Sequence, residues 1–107
     1  PEEQASVETA LTAYNQTIET LATVYDIALV DANGLLADLN ANGIPLLDGS
    51  TVTSTFATGG AFSLDGVHPA PRGYAILANA FIDAIEAKYG AELPGVNPLD
   101  YTGLYID

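Results

Sequence analysis

Apolar side chains at Val7, Leu11, Tyr14, Ile18, Leu21 and Tyr25 recur at alternating steps of four and three residues. That spacing predicts one stripe of an amphipathic helix over 2–23. Glu2 and Glu3 stand where carboxylates favour a helix N-terminus. The stripe is shorter than the three or four heptads that define a coiled coil, so a helix packed on a sheet is expected. The run Ile27-Ala28-Leu29-Val30 then predicts a buried strand over 27–31, with turn residues Asp31-Ala32-Asn33-Gly34 behind it. Leu35, Leu36 and Leu39 suggest a short helix over 34–41, closed by Gly43.

The pattern changes between residues 44 and 58. Ile44, Leu46 and Leu47 precede Asp48-Gly49, and Val52 follows, which predicts a hairpin-like excursion. Helical spacing returns at Tyr74, Leu77, Phe81 and Ile85, with Asn79, Asp83 and Glu86 opposite. This places a helix over 71–89, entered at Pro71 and capped by Gly90. The tail, 93–107, is punctuated by Pro and Gly and is expected to run extended. The order helix, buried strand, excursion, helix reads as α/β architecture with an incomplete parallel sheet. Tyr14, Tyr74 and Phe81 fall on the apolar stripes and are assigned to the core.

Charge narrows the partners. Fourteen acidic residues face two basic ones, Arg72 and Lys88, for a formal charge of −12 over 107 residues. Such a surface repels phosphate backbones and anionic lipid, which argues against nucleic-acid binding. Much of that charge serves solubility. The chain has no cysteine, which excludes thiolate nucleophiles and cysteine-based zinc sites. No uninterrupted apolar window reaches the length of a membrane span. The scarcity of lysine leans weakly toward an exported protein. A start at Pro1, without a methionine, suggests a segment of a longer polypeptide.

The single histidine concentrates the chemistry. In Asp65-Gly66-Val67-His68-Pro69, the proline pushes His68 toward extended geometry, on a loop. Gly66 permits a tight turn. A carboxylate three residues back can then curl round to accept the ring Nδ1–H, leaving Nε2 free as a base. The competing interpretation is plain: an Asp-Gly pair often does no more than brace a turn. One His and one Asp supply too few ligands for a metal.

The block Phe62-Ser63-Leu64-Asp65-Gly66-Val67-His68-Pro69, followed by Arg72-Gly73-Tyr74-Ala75, resembles the C-terminal block of the SGNH (GDSL-type) hydrolases. The resemblance covers 59–90 by motif, and 1–58 only in the order of elements. It implies the C-terminal part of a three-layer α/β/α, flavodoxin-like sandwich that hydrolyses esters through an acyl-enzyme, without metal or organic cofactor. His68 would be the general base and Asp65 its orienting carboxylate. The family's Gly-Asp-Ser nucleophile block and its oxyanion donors are not in this chain. Asp48-Gly49-Ser50 has the letters in the wrong order and reads as a turn, and nothing near Ser63 offers an oxyanion hole.

The expectation is therefore a fragment of a lipase-like or acylhydrolase-like enzyme, inactive alone. It would either self-associate or join the missing N-terminal part of the same enzyme. The alternative is a non-catalytic acidic binding domain in which the Asp-His loop is structural. Asp31 could line a site, although capping a helix suits it better. Arg72 could reach an acidic partner or a helix carbonyl.

Overall fold

The computed structural model describes residues 1–106. Three helices dominate: α1 (Glu2–Val24), α2 (Ala32–Ala41) and α3 (Pro71–Tyr89), with a short 3-10 turn at Pro98–Asp100. Strands β1 (Ile44–Pro45) and β2 (Thr51–Val52) pair antiparallel, Ile44 against Val52. No other sheet forms among the described residues. The α/β reading, a flavodoxin-like α/β/α sandwich with a parallel sheet, is overturned: the fold is mainly helical with one two-stranded antiparallel hairpin.

The predicted strand over 27–31 shows why. This segment is neither helix nor strand, because no other segment offers it a ladder. Its backbone bonds go elsewhere: Ile27 N–H to the Ala22 carbonyl and Ala28 N–H to the Tyr89 hydroxyl. Continuous apolar character reports a wish for burial, and the pairing that makes a strand has to come from a neighbour.

The local signals elsewhere took the expected form. Asp31 caps α2, its carboxylate accepting from Gly34 N–H at 2.8 Å. Pro71 opens α3, and Gly90 closes it at φ 64°. Asp48 and Gly49 turn the β1–β2 hairpin, with Gly49 at φ 84° and the Asp48 carboxylate accepting from both Ser50 N–H and its hydroxyl. Those two bonds, the hydroxyl's first, hold the Asp48 carboxyl below its ordinary range.

Packing departs from the stripes. The core is a small cluster of Leu39, Val52 and Ala61, with Ile44, Leu46, Phe62 and Ile76 against it. Among the described residues, Val52 is the one large side chain with no exposure at all. The α1 stripe lies outside this core, exposed from 46% at Leu21 to 70% at Tyr25. Tyr14, Tyr74 and Phe81, assigned to the core from spacing, are each at least half exposed.

On α3 two residues of the polar face, Asn79 and Glu86, meet the tail, while Asp83 stays exposed. The Asn79 side chain bonds both the N–H and the carbonyl of Val96, and Glu86 accepts from Leu93 N–H. The tail needed partners for its backbone, and these side chains supply them. Arg72 anchors the far end: its Nε donates to the carbonyls of Pro98 and Tyr101, and its guanidinium bonds and stacks on Tyr105.

The outcome is an open molecule. Its radius of gyration is 15.7 Å, where a compact domain of this length has about 13 Å.

Candidate functional site

The loop holding the histidine is a closed turn. An antiparallel bridge joins Phe62 to Pro69, and Ser63 N–H donates to the His68 carbonyl at 2.8 Å. Gly66 N–H returns to the Ser63 carbonyl, with Gly66 at φ 70°, a left-handed conformation that glycine adopts without cost. Ala70 N–H bonds the Ala61 carbonyl, so both stems are fixed before α3 begins. Helix α3 can approach this closely because Gly73 sits against the Ala61 carbonyl, where a Cβ would collide.

Asp65 organises the interior of the turn. Its Oδ1 accepts from the Ser63 hydroxyl at 2.7 Å and from the N–H groups of Val67 and His68, both at 2.9 Å. Its Oδ2 lies 2.6 Å from His68 Nδ1. The Val67 N–H, then the imidazole, then the His68 N–H and the Ser63 hydroxyl hold the Asp65 carboxyl far below the ordinary carboxylate range. An ionised carboxylate only accepts, so Nδ1 carries the proton and Nε2 of the neutral ring keeps its lone pair. The imidazole is exposed, with 71% of the side chain open to solvent. A base held in one tautomer and facing outward can take a proton from a donor that approaches it.

Of the residues singled out in the sequence, His68 and Asp65 are thus in contact, and Ser63 is bonded to the acid rather than to the ring. Ser50 belongs to the hairpin turn, and Asp31 to the α2 cap. Arg72 reaches carbonyls of the tail. The division of labour between the two Asp65 oxygens escaped the sequence reading, although an acid followed by Gly, Val and His already offers two N–H groups for such a turn.

Two hollows flank the loop. An apolar one of about 160 Å³ lies between α2, α3 and the loop, with Leu36, Phe62, Val67 and Leu77 on its walls. A shallower one of about 340 Å³ separates Ser63 and Leu64 from tail residues Thr102, Gly103 and Leu104. A larger hollow, about 850 Å³, runs from β1 to the tail and includes neither Asp65 nor His68 in its lining. Among the described residues, no group of three or more His, Asp or Glu side chains is placed to hold a metal. No helix among the described residues is long and apolar enough to cross a membrane.

The chain matches no protein-family model, no curated protein and no solved structure.

Proposed function

We propose that the 62–70 loop is the base-supplying half of a serine ester hydrolase site. His68 would take the proton from a serine hydroxyl brought from outside this chain and deliver it to the leaving alcohol. Asp65 would hold the ring and stabilise the imidazolium. The observation that carries this reading is the 2.6 Å contact between Asp65 Oδ2 and His68 Nδ1 beside an exposed ring. The motif resemblance to SGNH hydrolases supports the same assignment. The serine and oxyanion donors would come from a companion polypeptide or from further sequence of the same enzyme.

A second reading has one specific observation in its favour. Asp65 Oδ1 makes three bonds within the turn, which is sufficient reason for an aspartate there with no catalysis at all. In that case the loop is a rigid element of an acidic binding domain.

Fluorophosphonate labelling of the native assembly that contains this chain separates the two. The hydrolase reading expects a labelled serine and a loss of labelling of about 10²-fold or more in His68→Ala. Labelling that His68→Ala leaves unchanged, or the absence of any labelled serine, would overturn it.

A further inference from the structure

We propose that the apolar stripe of α1 is a docking face for a basic amphipathic helix of another protein, and not for a second copy of this chain. The stripe is narrow: Val7, Tyr14 and Leu21 alternate with Leu11, Ile18 and Tyr25, the four-three spacing of a helix–helix seam. Every one of these side chains is exposed by 46% or more.

The molecule as a whole exposes more surface than a compact fold of its size. A compact monomer of this size exposes about 5,700 Å², whereas this chain exposes 7429 Å². The excess over the whole chain, roughly 1,700 Å², exceeds the ~800 Å² that each partner buries in an interface of ordinary size, and the six exposed stripe residues contribute to it. The opposite face of α1 is already satisfied. Thr9, Thr12, Thr20 and Thr23 each return their hydroxyl to the carbonyl four residues before. That face asks for nothing, so docking falls to the stripe.

Charge then selects the occupant. Glu3 and Glu8 border the seam at its two flanking positions, and α1 contains no lysine or arginine. A parallel pair of identical helices would set Glu3 of one against Glu8 of the other, a destabilising like-charge contact. An antiparallel pair would set both against the uncharged flank of Ala22 and Val24, with no ion pair gained. Nor can the rest of the chain supply a cation. Lys88 pairs with Asp26, and Arg72 is committed to the tail. Two copies would bring −12 against −12. A helix with apolar seam residues and lysine or arginine beside them matches both features. This inference does not rest on the hydrolase reading.

The test uses two peptides of three heptads, both with leucine at the seam, one with lysine and one with glutamate at the flanking positions. Fluorescence anisotropy with the intact chain should show the lysine peptide binding at least roughly tenfold tighter, less so at high salt. Leu11→Asp/Ile18→Asp should abolish binding with helicity unchanged by circular dichroism. Glu3→Lys/Glu8→Lys should transfer the preference to the glutamate peptide. Thr12→Asp/Thr20→Asp, on the opposite face, should leave binding as it was. Equal binding of both peptides, no binding of the lysine peptide, or equal weakening by the opposite-face pair would each overturn the proposal. So would micromolar self-association of the chain that Leu11→Asp/Ile18→Asp abolishes.

Discussion

Asp65 meets His68 twice: one carboxylate oxygen accepts the backbone N–H of His68 at 2.9 Å, and the other accepts the ring Nδ1–H at 2.6 Å. The acid therefore sets both the path of the chain at the histidine and the orientation of its imidazole. Four hydrogen bonds to one side chain leave little freedom to either.

The tautomer is the first consequence. With Asp65 ionised, the neutral ring should carry its proton on Nδ1, and long-range nitrogen–proton correlation spectra of the single histidine should show it. Asp65→Asn replaces the acceptor by an amide able to donate, so the spectrum should shift toward the Nε2–H form common in free imidazoles. An unchanged spectrum in the variant would mean that Oδ2 does not hold the ring.

Acid should reach this loop late. The Asp65 carboxyl is held far below its ordinary value of 3.8, so folding of the turn favours the charged form. The stabilisation is complete above that ordinary value and fades only as pH falls through the lower, folded one. Asp65 should thus remain ionised in an NMR titration after free carboxylates have protonated, with the Val67 amide signal unmoved across the range in which they do so. Titration of Asp65 together with the exposed glutamates would show the turn to be unformed.

Gly73→Ala sets two effects of opposite sign against each other. Replacing the first-turn glycine of α3 by alanine favours the helix by at most about 1 kcal/mol. The new Cβ, however, meets the Ala61 carbonyl, a backbone atom fixed by its own bond from Ala70 N–H. Overpacking of that kind costs about 1–3 kcal/mol. Net destabilisation is expected in urea denaturation, and a variant more stable than the parent would refute the close α3–loop approach.

Arg72→Lys should release the tail. Lysine keeps the charge but cannot reach two carbonyls and a tyrosine hydroxyl at once with a planar fork. Hydrogen bonds to a charged group contribute about 1.5–3 kcal/mol each when solvent is excluded. Partial exposure of these bonds reduces this, and proteolytic cleavage within 93–106 should accelerate by about tenfold or more. Equal cleavage rates would assign the tail's position to Asn79, Glu86 and the backbone bonds of Thr102, Leu104 and Ile106.

Without a nucleophile bonded to Nε2, the isolated chain should show no turnover of a nitrophenyl ester that His68→Ala abolishes. Removing one member of a serine triad costs about 10⁴-fold or more. The Ser63 hydroxyl is engaged by Asp65 and does not substitute. Histidine-dependent turnover by the chain alone would contradict the assignment.

What could be read one residue at a time came out of the amino-acid order: the α3 start at Pro71, the cap by Asp31, the hairpin at Asp48-Gly49 and the pairing of Asp65 with His68. Each is decided within four residues by backbone geometry and a nearby donor or acceptor, and such interactions are written in adjacent letters. The fate of Ile27–Val30, of the α1 stripe and of the polar face of α3 was not so written. Apolar spacing states which side chains would gain from burial, but not what arrives to bury them. Folding gave the strand-like run no ladder, left the stripe bare, and brought the tail onto Asn79 and Glu86. Those outcomes depend on segments far apart in the chain competing for the same surfaces, and a local pattern carries no record of that competition.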